Sequence, residues 1–570
     1  MTSAQLGPEQ RTTALARMAT ETFDVVVVGG GVTGAGCALD AATRGLSVAL
    51  VEARDYAAGT SSRSSKLIHG GLRYLEQLSF GLVREALHER GLLLTRLAPH
   101  LVRPVAFLLP LQHRVWERFY IGSGVLLYDS MGGARTLPRH RHLSRRKALR
   151  LVPGLRKDAL VGAILYYDAQ VDDARHTVTV IRTAAGYGAA VANSARVTGL
   201  VREGERVTGV QVRDLESGRE ITVQARQVIN ATGVWTDDIQ KLLGGRGQFQ
   251  VRASKGIHLV VPRDRIHSDA GMILRTEKSV LFVIPWGRHW VIGTTDTDWA
   301  LHRAHPAASR SDIDYLLEHV NRVLTYPLSH ADVEGVYAGL RPLLSGESEE
   351  TSRLSREHIV VQPVPGLVVV AGGKYTTYRV MAKDAVDTAA RGIDRSIPPS
   401  CTDVTPLVGA DGFQARLNAK ATLAASSGVH VARIEHLLNR YGSKVDEVLA
   451  LIAENPRLGE PIEGAEDYLV VEAHYAASHE GALHLDDVLT RRTRISIETW
   501  DRGVAAAEPV ARTLAAVLHW DDADVRREVE HYHARVAAER ESQAQLDDHT
   551  ADAARLGAPD VRVGSGSTPE

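Results

Sequence analysis

The chain has 570 residues, too many for one hydrophobic core, and its 44% apolar, 24% charged and 5% aromatic composition excludes collagen-like, disordered and disulfide-scaffold classes. With 67 Lys+Arg against 68 Asp+Glu it carries no global field that would draw nucleic acid. Its two cysteines, Cys37 and Cys401, allow neither a disulfide framework nor a cysteine metal cluster and suit a reducing compartment. The first twenty residues hold no apolar signal region, and nowhere do eighteen apolar residues run together, so neither export nor membrane spanning is expected.

Residues 1–21 read as a flexible N-terminus. FDVVVV (23–28) is a continuous β-branched run of the kind found in buried parallel strands. Gly29, Gly31 and Gly34 then form GxGxxG, Ala35 to Thr43 a small-residue helix, and Leu46 to Val51 a second strand closing on Glu52. This is a whole βαβ unit. In it Gly29 permits a tight turn, Gly31 the approach of a pyrophosphate to backbone N–H groups, and Gly34 close helix–strand packing, while Glu52 can accept ribose hydroxyls. A Ser- and Gly-rich loop, SSRSSKLIHGGLRYLE, leads into a helical pattern up to 98, and 101–170 mixes short strands with the basic run RHRHLSRRKALR (139–150). A helix is expected from Asp172/Asp173, a β-meander over 195–230, and more sheet over 251–345 with a helix near SDIDYLLEHVNRVL. Residues 364–392 return to strand, glycine turn and helix, so one α/β domain is interrupted by another. Beyond 400 the pattern is helical, and 541–570 reads as a disordered tail.

The fingerprint is shared by FAD and NAD sites. Two further segments, ARQVINATGVW (225–235) and GLVVVAGGK (366–374), resemble the parts that complete an FAD cradle, and no second GxGxxG follows a strand to hold a nicotinamide.

From about 22 to 540 the chain resembles the flavin-dependent glycerol-3-phosphate dehydrogenases, members of the D-amino-acid-oxidase-like flavoenzymes. SSKLIHGGLRYLE (64–76), SKGIHLVVP (254–262), IGTTDTD (292–298), YAGLRPL (337–343), SRE (355–357) and AGGKYTTYR (371–379) carry the likeness. The resemblance implies an α/β fold with a discontinuous Rossmann-like FAD-binding domain (22–100, 171–250, 355–395), an inserted sheet-rich substrate domain (101–170, 251–354) and a C-terminal helical cap (396–540). It implies non-covalent FAD, contacted by Gly29, Gly31, Thr33, Gly34, Glu52, Ser61, Ser62, Ser64, Ser65, Lys66, Leu67, His69, Gly70, Gly71, Ala231, Thr232, Gly233, Gly373, Lys374, Thr376 and Thr377. No metal is expected. For substrate it implies Arg73, Tyr74, His258, Arg341, Arg356 and Lys374, a cationic set suited to a phosphomonoester. His258 is the expected base, and Arg341 either joins the phosphate site or orients and polarises the substrate hydroxyl. A helix opening at Thr376/Thr377 should present its positive end to the reduced flavin.

The implied reaction is oxidation of sn-glycerol 3-phosphate to dihydroxyacetone phosphate, with hydride passing from C2 to FAD N5 and electrons onward to a membrane quinone. A cytoplasmic enzyme lying peripherally on the inner leaflet, and a homodimer, are the implied setting. The run 139–150 with the neighbouring LQHRVWERFYIGSGVLLY could serve as the membrane contact. Three alternatives stay open: an oxidase delivering electrons to oxygen, an amine or amino-acid oxidase of the same superfamily, and a non-catalytic flavin-binding sensor.

Overall fold

The computed structural model describes residues 3–71, 73–76, 79–113, 116–131, 137–244, 250–276, 280–344 and 357–562, apart from the Arg73 and Glu76 side chains. At its centre the strand Thr22–Val28, buried at every position but the first, pairs in parallel with Val48–Val51 on one side and Glu220–Asn230 on the other. The sheet runs in the order 358–364, 367–372, 220–230, 22–28, 48–51, 190–192, with the antiparallel strands 195–203 and 206–214 attached to 220–230. A strand flanked by partners on both edges and covered on both faces has no use for polar side chains, which accounts for its Val run. Helices Val32–Thr43, Asp173–Gly186 and Tyr378–Ala390 cover one face. At Gly36 a Cβ would sit 3.0 Å from both Tyr378 and Ala382, so the first and last of these helices touch backbone to side chain.

The other face is closed partly by a helix where a flexible N-terminus was expected. Pro8–Thr20 begins with proline at its first turn and buries Ala14 and Met18, four residues apart, against the sheet. Arg11 fixes it by donating to the Asn193 carbonyl at 3.0 Å and pairing with Asp214 at 2.5 Å.

A second, ten-stranded sheet orders 297–299, 251–262, 289–293, 280–286, 271–275, 103–111, 162–170 and 67–68, with 335–344 also on 251–262 and 141–144 on 162–170. The long strands Val251–Pro262 and Gly335–Leu344 are antiparallel, setting His258 opposite Tyr337 and Ser254 opposite Arg341. Helix Arg310–Asn321 packs Ile313, Leu316, Leu317 and Val320 beneath them.

The segment after 400 is mainly helical, with one hairpin at 461–469, and of the tail expected to be disordered, residues 541–562 are folded while 563–570 lie outside the described residues. Asp522–Ala544 and Asp548–Arg555 are helices, and the chain stays folded to 562. The polar composition that read as disorder is spent on buried ion pairs: Arg562 donates to both Asp487 oxygens at 2.7 Å and to Ser194 Oγ at 2.7 Å, and Asp560 pairs with Arg54 at 3.1 Å. Among the described residues no helix is long and apolar enough to cross a membrane, and no His/Cys/Asp/Glu cluster could hold a metal.

Candidate active site

The glycine turn is built by exclusion of side chains. Gly29 has φ +111°, and a Cβ there would come within 2.8 Å of the Ala231 carbonyl oxygen. A Cβ at Gly34 would overlap the Gly29 carbonyl oxygen itself, so the helix Val32–Thr43 starts flush with the strand ends. Its N-cap, Gly31, brings no capping side chain; Ser61 Oγ accepts from Val32 N at 2.9 Å, and the remaining first-turn donors, Thr33 and Gly34 among them, face the turn as a phosphate requires. Glu52 lies across the turn, its oxygens accepting from Gly30 N at 2.6 Å and Arg54 N at 2.8 Å. Burial pushes its pKa up, against the pull of those two N–H groups. On the far side Asn230 Oδ1 accepts from Thr232 N (3.2 Å) and Oγ1 (2.7 Å), and Gly233 takes φ +60° after Ala231. A turn without Cβ atoms, a helix start whose only side-chain cap among the described residues is Ser61 on Val32 N–H, and a carboxylate beside it fit the diphosphate and ribose of a dinucleotide.

The loop 60–71 divides its work. Ser64 donates its N–H (2.9 Å) and hydroxyl (2.7 Å) to Asp173, and Lys66, wholly buried at φ +57°, sets its Nζ 2.9 Å from the same carboxylate. Leu67 pairs with Gln170 in a two-residue strand and is buried. Ser64 and Lys66 therefore anchor the loop to the helix starting at Asp173, and their backbone groups are engaged as well: Lys66 N–H donates to Ser64 Oγ at 3.0 Å, the Ser64 carbonyl accepts from the Tyr337 hydroxyl at 3.0 Å and the Lys66 carbonyl from Val171 N–H at 2.9 Å. Ser62 Oγ turns back to the Gly59 carbonyl at 3.4 Å. His69 N–H donates to Thr376 Oγ1 at 3.2 Å and the His69 carbonyl accepts from the same hydroxyl at 3.2 Å, joining this loop to the turn after 367–372. Gly70 N–H donates to the Tyr128 hydroxyl at 2.8 Å. Gly71, Gly372 and Gly373 all take left-handed φ (78°, 75° and 81°), and Tyr375–Thr377 forms a tight turn into helix Tyr378–Ala390, whose N-cap Thr377 gives no side-chain cap. That helix start is thus also open to an acceptor.

His258 sits in the second sheet, facing this loop. Its ring stacks on Tyr337 (4.7 Å, 13°), one nitrogen lies 2.8 Å from Ser65 Oγ, and Nδ1 is buried with no hydrogen-bond partner. Burial first, then Arg341 and Lys66, holds its pKa well below 6.5, so the imidazole is neutral and able to accept a proton. Arg341 lies on the same strand face as Tyr337, four residues on. Its guanidinium donates to Ser254 Oγ (3.3 Å), Thr294 Oγ1 (3.0 Å) and the Thr295 carbonyl (3.1 Å), with Asp296 at 3.5 Å. Lys374 Nζ stands 3.4 Å from the Tyr74 ring centroid, close to Gly71.

Loop 65–71 therefore connects two groups: His258 with Arg341 through Ser65, and Tyr74 with Lys374 through Gly71. Arg356 lies outside the described residues, as does the Arg73 side chain, although the Arg73 backbone opens the short helix Arg73–Glu76. Two groups had no assigned role in sequence. Tyr337 shares a strand phase with Arg341 and could have been found from that spacing; Asp173, the loop's anchor, carried only a helix-start signal.

Residues 24–387 match the family model described as FAD dependent oxidoreductase, and 400–525 match that of the C-terminal domain of alpha-glycerophosphate oxidase. The chain is 62% identical over 561 residues to glycerol-3-phosphate dehydrogenase 2 of Mycobacterium tuberculosis, covering 98% of this chain and 96% of that one. It is 36% identical over 545 residues to the human mitochondrial glycerol-3-phosphate dehydrogenase, covering 92% and 74%. A solved Bacillus halodurans glycerol-3-phosphate dehydrogenase complexed with FAD superposes with a TM-score of 0.76 at 29% identity, covering 94% and 98%.

Proposed function

Because the chain belongs to the FAD-dependent oxidoreductase family and, by likeness along its whole length, to the glycerol-3-phosphate dehydrogenases, we propose that it oxidises sn-glycerol 3-phosphate at C2 to dihydroxyacetone phosphate and passes the electrons to a membrane quinone. The observation that carries the chemistry is His258: a buried, neutral imidazole with an unpartnered nitrogen, stacked on Tyr337 and tied to the cofactor loop through Ser65.

FAD, when bound, supplies the two-electron acceptor for hydride leaving the carbinol carbon. Gly29, Gly31, Thr33, Gly34 and Glu52 would hold its diphosphate and ribose, and loop 61–71 with Gly373 to Thr377 its ring system. His258 takes the C2 hydroxyl proton, and Arg341, fixed by three hydrogen-bond acceptors, orients and polarises that hydroxyl. Lys374, with Arg73 and Arg356, compensates the phosphate, so the distal charge positions C2. The open N-terminus of helix Tyr378–Ala390 favours negative charge gathering beside it. Anaerobic bleaching of the bound flavin by glycerol 3-phosphate tests this reading.

The helix Trp116–Met131 supports the acceptor assignment. Its inner face buries Ile121, Val125 and Tyr128, while Trp116 (56% exposed), Phe119 (74%), Tyr120 (55%) and Leu126 (61%) point outward. Beside it stand exposed Arg141, on the strand Arg141–Ser144, and Arg145, Arg146 and Lys147, which open the helix Arg145–Leu151 that follows; the helix Trp116–Met131 touches that strand where Gly122 meets His142. Apolar rings rimmed by cations fit the interface of an anionic bilayer. Trp116→Asp combined with Phe119→Asp should weaken binding to phosphatidylglycerol vesicles by about tenfold or more. Reoxidation by quinone in those vesicles should fall in parallel, while bleaching by substrate stays unchanged. Unaltered vesicle binding would move the contact elsewhere, and stoichiometric peroxide in place of quinone reduction would favour oxygen as acceptor.

A further inference from the structure

A cavity outside the groups assigned so far lies between loop 61–65, the strand Gly335–Leu344 and the helices Asp522–Ala544 and Asp548–Arg555. The space open to the centres of water molecules is about 70 Å³, where one water needs roughly 10–15 Å³. A tetrahedral oxyanion fits there. Arg63, Arg491, Arg494, Arg535 and Arg555 line it, with Glu539 as the one lining carboxylate.

Most of these charges are matched from behind the wall. Arg491 pairs with Asp55 (2.5 Å) and Asp487 (2.7 Å), Arg494 with Asp172 and Asp173 (2.5 Å each), and Arg535 with Asp486 and Glu539. Two are matched less fully. Arg555, whose side chain is 4% exposed, shares Glu539 with Arg535 at 3.5 Å and lies 3.3 Å from His305 Nδ1, both through Nη2, while its buried Nη1 has no hydrogen-bond partner. No described residue hydrogen-bonds or ion-pairs with the Arg63 guanidinium. Burial, followed by Arg54, Arg535, Arg491 and Arg555, drives its pKa well down, and burial with Arg54 and Arg555 does the same to His305 on the cavity wall. Arg63 is half-buried and Arg555 buried, and the two share Glu539 with Arg535 as the nearest lining carboxylate, so cations outnumber carboxylates on this wall and an anion between them offsets their repulsion.

We propose that this cavity is an anion site, separate from the substrate site, which takes a phosphate-class oxyanion with Arg63 and Arg555 as its donors. Arg63 stands between Ser62 and Ser64 of the cofactor loop, and Tyr337, on the same cavity wall, is the stacking partner of His258. An anion seated there braces both.

Equilibrium binding of inorganic phosphate to the flavin-loaded enzyme, and melting in phosphate against chloride at equal ionic strength, test the site. The parent should melt higher in phosphate. Arg63→Gln should bind phosphate about tenfold or more weakly at this site and lose the part of the increment that Lys374→Ala retains, yet melt no lower than the parent in chloride, since a poorly matched cation has gone. Arg555→Gln should lose the same part, whereas Lys374→Ala should keep it. Glycerol 2-phosphate run in parallel shows whether the occupant is the free ion or an ester. If Arg63→Gln binds phosphate like the parent, or if all binding vanishes with Lys374→Ala, there is no such site. Wild-type crystals soaked with tungstate give a reading independent of variant folding: anomalous density beside Arg63 and Arg555 is expected, and an unchanged cavity would overturn the proposal.

Discussion

Replacing His258 by Asn should slow anaerobic bleaching of the bound flavin by glycerol 3-phosphate by about 10²–10⁴-fold, the usual worth of a positioned general base, with flavin content and spectrum retained. The ring is 2% exposed, stacked on Tyr337 and close to Arg341, so burial and a neighbouring cation both oppose its protonation. The sign of the pH dependence follows. Only the neutral imidazole accepts a proton, and its pKa lies well below 6.5. The wild-type bleaching rate should therefore pass through pH 6.5 without a step and fall only in more acid solution. In the Asn variant that acid limb should vanish. A variant bleaching at the parent rate would remove His258 from the mechanism and leave Arg341 as the group acting on the hydroxyl.

Gly34→Ala should yield protein that folds with little flavin. The added Cβ would overlap the Gly29 carbonyl oxygen, which belongs to the turn that cradles the diphosphate, so helix and turn must part. Strain of this kind costs about 1–3 kcal/mol, which corresponds to roughly a 5- to 150-fold loss of cofactor affinity if it falls on the bound state. Gly81→Ala, whose Cβ meets nothing within 4 Å, is the control and should keep its full flavin content. Flavin-to-protein absorbance ratios after gel filtration make the measurement. Equal ratios in the two variants would place the dinucleotide elsewhere.

The first βαβ unit was legible because one physical constraint, a backbone approach too close for side chains, needs glycine at three spaced positions, and the Val run beside it needs burial on both faces. The juxtaposition of His258 with Arg341 was not legible by spacing. They lie 83 positions apart, and the antiparallel register that opposes His258 to Tyr337 and Ser254 to Arg341 is set by whole strands, not by a local motif. Residues 8–20 and 541–562 depart from the expected flexible ends for a related reason. Arg11, Asp560 and Arg562 look like solvated charges in sequence, but their partners Asp214, Arg54 and Asp487 lie far away along the chain. Local composition carries no trace of such pairing. Lys66 shows the converse. Its place in a cofactor-loop motif suggests a side chain aimed at the ligand, yet the left-handed backbone at that residue turns Nζ into Asp173.

The most direct measurement is stopped-flow bleaching of the flavin under nitrogen, with sn-glycerol 3-phosphate and glycerol compared at equal concentration. The phosphate ester should bleach the flavin in one rapid phase, and glycerol should be slower by orders of magnitude, because orientation by a remote anion is worth up to about 7–11 kcal/mol of the barrier. Equal rates with the two alcohols, or no bleaching by the ester in protein that carries its full complement of flavin, would contradict the proposed chemistry.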